Sequence, residues 1–384
     1  MAKKVLIVTK DRMEFNIYHP VVCNLQKRGF EPVIVAEGLS MEMWVKAGQE
    51  IWSGLPKAGD FDPDTRARTD IDPYAVLTEV KPDLVMTGLA NPLRLGGSFG
   101  EIANRLKVRL GYVEDLWGVH SRSPAFPDFV CTVDELGAKM IREYAAYSQA
   151  SLGDVYDYLT TDRTPKIYVT GCPADDVLLA VKPDPKTEEI LEACDANMNN
   201  SRVILACGQD ESTTPMLQGV VEVVMRDPYS LLIPRLHPKW MSDPSKAEFK
   251  KLWLETLKPA EERGKVYWAD ASVDTRSLIR SATEVVSIYS NVLREAALLN
   301  RMPVSWTSDI ARTRMLANNG FSQYPLVSIG ATLEVSSTEE YLARVHRTCT
   351  KGHLDILNKL RETVQEDGRA TERVVQAMLA ESNS

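Results

Sequence analysis

The run from Val285 to Leu299 holds the most chemistry in the chain, passing from β-branched apolar residues through Tyr289-Ser290-Asn291 into a helical pattern. A Ser or Asn at such a junction caps the helix and leaves backbone N–H groups directed outward, which suits a phosphate. Glu295, one turn further in, stands where a carboxylate could take the two hydroxyls of a ribose. A plain cap followed by an acid that favours the helix dipole accounts for the same residues. Upstream, Arg235-Leu236-His237-Pro238-Lys239 ends an apolar run and gathers three basic side chains that suit an anion, although a turn before a rigid proline reads the same way. Gly208-Gln209-Asp210-Glu211-Ser212-Thr213-Thr214 is a polar loop leading into a helix. Gln209 and Ser212 could hold phosphate there or simply form a turn.

Two further loops carry acids. Thr9-Lys10-Asp11-Arg12-Met13-Glu14 follows the first apolar run, and Gly111-Tyr112-Val113-Glu114-Asp115-Leu116-Trp117-Gly118 follows a later one. Glu114 and Asp115 are adjacent carboxylates beside Trp117, which could form an apolar wall and raise a pKa, making one of them a general base; a solvated loop acid fits equally. His19, beside Pro20, and His120 read as structural or substrate-contacting rather than as the base. Gly96-Gly97-Ser98-Phe99-Gly100 lacks the Lys-Ser/Thr of a P-loop and does not fit GxGxxG, which disfavours a nicotinamide dehydrogenase.

The elements that must position these residues follow one grammar. Val5–Thr9, a helix from His19 to Gly29 and Pro32–Ala36 form a strand–helix–strand unit, and continuous apolar strands imply a parallel sheet covered on both faces. Helix 73–80, strand 83–87, helix 100–106 and strands 109–113, 129–133 and 166–170 complete the first half. A charged stretch, 182–200, reads as linker plus one helix. The grammar then restarts with strands at 202–207, 230–235, 266–269, 284–288 and 303–306 and helices at 215–225 and 292–299. From Ser337 the pattern is helical (Tyr341, Val345, Leu354, Leu357, Leu360, Val364, Val374, Met378). The expected organisation is α/β: domains 1–172 and 173–336, doubly wound and facing each other across a cleft, and helices 337–384 packing back on the fold.

Length and composition agree. The 384 residues allow two domains, 45 basic against 53 acidic residues leave a formal charge of −8, and 44% hydrophobic with 26% charged residues is ordinary for a globular chain. The acidic balance argues against nucleic acid or anionic membrane as a bulk-charge partner. Six scattered cysteines (Cys23, Cys131, Cys172, Cys194, Cys207, Cys349) show no zinc spacing and read as thiols of a reducing compartment. The opening MAKKVLIVTKDR returns to charge too soon for a signal-peptide core, and no apolar run approaches about eighteen residues. The expectation is a cytoplasmic protein without a transmembrane segment.

With these residues in place, residues 1–310 resemble the GT-B superfamily, which holds nucleotide-sugar glycosyltransferases and the non-hydrolysing UDP-N-acetylglucosamine 2-epimerases. Arg12-Met13-Glu14 with Pro20 is similar to the epimerases' Arg-Pro-Glu loop and downstream proline, Gly111–Glu114 to their Gly-His-Val-Glu, and Tyr168–Gly171 to their Ile-Thr-Gly-Asn crossover. His237 falls near their uracil- or phosphate-side His, and Ser290 with Glu295 resembles their Ser-Gly-Gly and ribose-binding Glu. The departures are chemical. Gly88-Leu89 stands where they carry Gly-Asp, and Gly208-Gln209-Asp210-Glu211-Ser212 where they carry His-Arg-Arg-Glu-Ser. Ser290-Asn291-Val292 is closer to the Tyr-Ser-Ser/Thr-x-x-x-Glu-Ala of capsule glycosyltransferases.

The resemblance therefore implies a glycosyltransferase that is metal-independent, inverting and without a resident cofactor, using a nucleotide sugar, UDP-linked first, as co-substrate. It places the donor on Arg235, His237, Ser290, Asn291, Glu295, Gln209 and Ser212, and the acceptor on Arg12, Glu14, His19 and Trp117, with Asp115 or Glu114 as base. The acceptor is left open among a glycan, a lipid-linked sugar, a small metabolite and a modified nucleic-acid base, as is a homodimer. One alternative is an epimerase in which Glu114 and Glu14 handle protons. Another is a non-catalytic nucleotide-sugar-binding protein, whose binding would be unchanged by Asp115→Asn.

Overall fold

The computed structural model describes the chain apart from residues 1, 58, 61, 63–66, 90–94, 152–164, 194–201, 238–243, 320–322, 346–350, 364–366 and 383–384. Cys194, Cys349 and Val364 lie outside the described residues. The chain divides into two compact units, Met1–Asp176 with Thr363–Ser384, and Val177–Glu362. The C-terminal helices are split between them: Thr338–Arg344 belongs to the second unit and Ala370–Ser382 to the first.

The first unit is built on a six-stranded parallel sheet of β1 (Lys4–Thr9), β2 (Glu31–Ala36), β3 (Leu84–Thr87), β4 (Leu110–Val113), β5 (Phe129–Thr132) and β6 (Lys166–Val169), in the order β2-β1-β3-β4-β5-β6. Leu6, Val85, Leu110, Tyr112 and Val130 on its strands pack with Val76, Phe99 and Ala103 from covering helices, so the strands are apolar on both faces as a buried parallel sheet requires. The closing helix Ala370–Ser382 returns to this unit through the buried Glu381, which accepts from Arg109 (2.5 Å), Lys166 (3.0 Å) and Tyr168 (2.5 Å). Burial alone would raise this carboxyl, but those three donors outweigh it and hold it below the usual range.

The second unit carries a five-stranded parallel sheet, β11-β10-β9-β7-β8, of β7 (Arg202–Gly208), β8 (Ser230–Leu236), β9 (Glu284–Ser287), β10 (Met302–Trp306) and β11 (Leu333–Val335). Its core joins Ile204, Leu232, Val286 and Val304 to Leu217, Val220 and Trp253 of the helices.

Three boundaries depart from the sequence pattern. The first helix begins at Arg12, seven positions before His19, because Asp11 accepts from Glu14 N (3.1 Å) while Glu14 bonds back, a capping box. The helix expected from Gly100 starts at Leu95. The expected strand 266–269 reduces to one bridge, Val266 with Leu232: Trp268 turns to the surface and donates to Glu261 (2.8 Å), so no ladder continues. Strand β11 and helices such as Gly38–Lys46, Ala247–Glu261 and Thr275–Ser281 had no sequence assignment.

Glu284, the first residue of β9, is buried against Arg202 Nε (2.9 Å) and the Tyr341 hydroxyl. Burial pushes its carboxyl up to about 7, with Arg202 opposing. A carboxyl raised in the folded state contributes stability below its unfolded pKa and loses that contribution as pH rises through the folded one. The unfolding free energy of wild type relative to Glu284→Gln should therefore fall between about pH 4.5 and about pH 7. Urea titrations at several pH values test this, and a flat difference would mean that the carboxyl is not displaced.

Candidate functional site

In the second unit, four adjacent strands end in polar residues at one sheet edge: β8 in His237, β7 in Gln209, β9 in the turn Tyr289-Ser290 and β10 in Thr307. Carboxyl ends of parallel strands are where doubly wound sheets take ligands. Ser290 is extended (φ −131°, ψ 151°) and its Oγ accepts from Val292 N at 3.5 Å, capping the helix Asn291–Leu298. Ser290 and Asn291 are half-buried, while Glu295, one turn in, is only 4% exposed.

The structure gives Glu295 a partner that sequence reasoning missed: Arg276 Nε donates to its Oε1 at 2.9 Å. Arg276 sits on the short helix Thr275–Ser281, capped by Asp274, and the loop before it is tied down by Arg235. Arg235 donates to the carbonyls of Asp270 (3.0 Å), Ala271 (3.1 Å) and Val273 (2.7 Å). Arg235, expected to face an anion, makes these three bonds within its own unit. Its guanidinium braces the segment that presents Arg276 to Glu295. His237 is exposed just past β8, its N–H still on Gly208 O (3.1 Å). Pro238 and Lys239 lie outside the described residues.

Gln209 and Ser212 are also engaged internally. Gln209 pairs with the backbone of Tyr289, Nε2 to O at 2.8 Å and N to Oε1 at 3.1 Å. Ser212 is buried and both its N–H (2.9 Å) and its hydroxyl donate to Asp210. Asp210 and Glu211, at and beside the positions where the resemblance has arginines, face Arg314 at 3.5 Å and 3.3 Å.

In the first unit the carboxylates Glu14 and Glu114 stand at the ends of β1 and β4, the two strands flanking β3. Glu114 is fully buried. Its Oε1 accepts from His120 N (3.1 Å) and His120 Nδ1 (2.7 Å), and its Oε2 from the Thr132 hydroxyl (2.8 Å). With a carboxylate oxygen as acceptor, Nδ1 is the protonated ring nitrogen. Glu14 is 6% exposed and its Oε2 accepts from Lys10 N (2.5 Å) and Asp11 N (3.3 Å). Gly88 leaves room for that carboxylate: a Cβ there would lie 1.9 Å from Glu14 Oε1. Below it Tyr18 is buried, its hydroxyl on Thr87 O (3.0 Å) and pushed well up by burial and then by Glu14.

The remaining expected residues fall differently. Asp115 is half-buried beside Glu114. Trp117, expected as an apolar wall beside the two acids, is buried with its indole N–H on Asp134 (2.9 and 3.1 Å). Arg12 is exposed on the first helical turn. His19 stacks on Phe15 (centroids 4.9 Å apart), and burial lowers its pKa. Among the described residues no group of three or more His, Cys, Asp or Glu could hold a metal ion, and no helix is long and apolar enough to cross a membrane.

The sequence matches no family model and no curated protein. Solved structures match over the full length. The S. aureus MnaA protein in a co-structure with UDP has a TM-score of 0.66 at 15% identity, covering 99% of this chain and 97% of that one. The UDP-GlcNAc 2-epimerase from Neisseria meningitidis bound to UDP-GlcNAc has a TM-score of 0.63 at 15% identity over 98% and 100%. A glycosyltransferase from Rickettsia africae has a TM-score of 0.59 at 11% identity over 100% and 98%. The fold is GT-B, two Rossmann-like units with parallel sheets.

Proposed function

We propose that the protein is an enzyme acting on a UDP-sugar. The observation that carries this reading is the β9 turn: Ser290 caps Asn291–Leu298, and Glu295 is presented one turn in by Arg276. Helix N-terminal amides suit a diphosphate, and a buried, braced carboxylate suits ribose hydroxyls. Proteins of this fold crystallised with UDP and UDP-GlcNAc support the choice of nucleotide. We assign the nucleotide to the second unit and proton handling to the first.

Epimerisation at C2 is the reaction that the similar solved structures favour, since UDP-N-acetylglucosamine 2-epimerases from several organisms share the fold. In it Glu14 and Glu114, both held by hydrogen-bond donors, take and return protons. Glycosyl transfer is the second reading, and one observation favours it. Leu89, 5% exposed, fills the place where the epimerase resemblance puts a carboxylate. The half-buried Asp115 is then the base for an acceptor hydroxyl, with His237 and Ser290 beside the leaving diphosphate.

UDP at 100 times its dissociation constant is expected to stabilise the protein by about 2.7 kcal/mol. Glu295→Ala should weaken UDP about tenfold, the cost of a lost hydrogen-bonded contact. A wild-type protein with no thermal shift from UDP or any other nucleotide would sink the reading. Incubating UDP-GlcNAc in D2O separates the reactions: deuterium at C2 without acceptor marks epimerisation, whereas UDP release that requires an acceptor marks transfer.

A further inference from the structure

Three consecutive backbone carbonyls between β9 and the helix Asn291–Leu298 are each taken by a side chain from a different element. Ser305 of β10 donates to Ile288 O at 2.6 Å, Gln209 after β7 donates to Tyr289 O at 2.8 Å, and the Tyr324 hydroxyl donates to Ser290 O at 2.9 Å. Gln209 also accepts from Tyr289 N at 3.1 Å, so its amide holds the N–H and the carbonyl of one residue, on two successive peptides. Ser305 and Tyr324 are buried, at 0% and 1% exposure. Ile288 and Tyr289 are buried, so their carbonyls need partners inside the protein, and Ser290 O also accepts from Leu293 N of the helix at 3.0 Å. Here the protein commits all three.

We infer that Gln209 and Tyr324 are positioning residues for the diphosphate of the bound nucleotide, acting by fixing the backbone of the Ile288–Ser290 turn. This rests on the UDP-sugar reading above. An anion at a helix N-terminus gains from N–H groups and loses to any carbonyl lone pair turned toward it. Each carbonyl of this turn is drawn instead to a donor on a neighbouring element. The amides that start the helix are thereby held in one direction before the ligand arrives, and a preformed donor set spends no binding energy on ordering itself. Gln209 stands at one of the positions where the epimerase resemblance has arginine, so this chain has exchanged a charge that could touch phosphate for an amide that holds the backbone.

The test measures UDP and uridine affinities of the full-length protein by calorimetry, uridine by competition with UDP. Tyr324→Phe removes one hydroxyl and keeps the ring, and Gln209→Leu removes the amide. Each variant should weaken UDP about tenfold, the worth of one well-placed hydrogen bond, and leave uridine within about twofold. A positioning role moves the UDP-to-uridine ratio. A role in stability alone weakens both ligands alike or leaves UDP binding unchanged in Tyr324→Phe, and either result overturns the inference. If Gln209→Leu does not fold, Tyr324→Phe still decides. Wild type that binds UDP while both variants match it defeats the clamp alone; wild type that binds neither ligand defeats the nucleotide reading and the clamp with it.

Discussion

Gly88→Ala is expected to destabilise the protein by about 3 kcal/mol, combining overpacking with loss of a helix cap. The new Cβ would lie 1.9 Å from Glu14 Oε1 and 2.0 Å from its carboxyl carbon. A carboxylate at the end of a free side chain would swing aside cheaply. Glu14 is not free: it is 6% exposed, and its Oε2 holds the N–H groups of Lys10 and Asp11 at the start of the first helix. Moving it unmakes the capping box, and staying forces the backbone after β3 outward. The explanation makes a second demand. In Glu14→Ala the obstacle is gone, so Gly88→Ala added to it should cost within about 0.5 kcal/mol of nothing. Urea unfolding of the four proteins in this cycle measures the coupling. If the two substitutions add instead, the glycine is needed for some reason other than room for Glu14.

The same pair shows what the sequence made legible. Strands such as Arg202–Gly208 were readable because a parallel sheet buried on both faces must be a continuous apolar run, and those residues are all buried. The start of the first helix was hidden because Asp11 and Glu14 were read for their chemistry, whereas their spacing is also a capping box. The residues 266–269 predict a strand that the structure reduces to a bridge, because apolar character alone does not reveal that Trp268 faces solvent. At the site, Ser290 was legible as a cap since a helix N-terminus is a local event. Partners were not. Arg276 meets Glu295 across 19 residues and Gln209 meets Tyr289 across 80, distances over which no local pattern carries information. The three carbonyls that Arg235 braces lie 35, 36 and 38 residues further on and are equally invisible to a local pattern.

Glu114 is where stability and chemistry can be separated most sharply. Glu114→Ala should destabilise by about 4 kcal/mol, since it strands three buried donors at once. These are His120 N, His120 Nδ1 and the Thr132 hydroxyl. Glu114→Gln should cost only about 1 kcal/mol, because the amide oxygen can accept from His120 while the NH2 donates to Thr132, whose hydroxyl turns to accept. Denaturant unfolding reads both, and equal losses would show that the cost is cavity rather than unsatisfied donors. The Gln variant then carries the functional question. A carboxylate that moves protons cannot be replaced by an amide, whereas one that only orders His120 and Thr132 can. If turnover of a UDP-sugar falls by about 100-fold or more in a Glu114→Gln protein of near-native stability, Glu114 itself handles the proton, as the epimerase reading requires. If turnover survives, Glu114 is a buried anchor of the β4 loop, and the neighbouring Asp115, half-buried and next in the chain, becomes the base that the transfer reading needs.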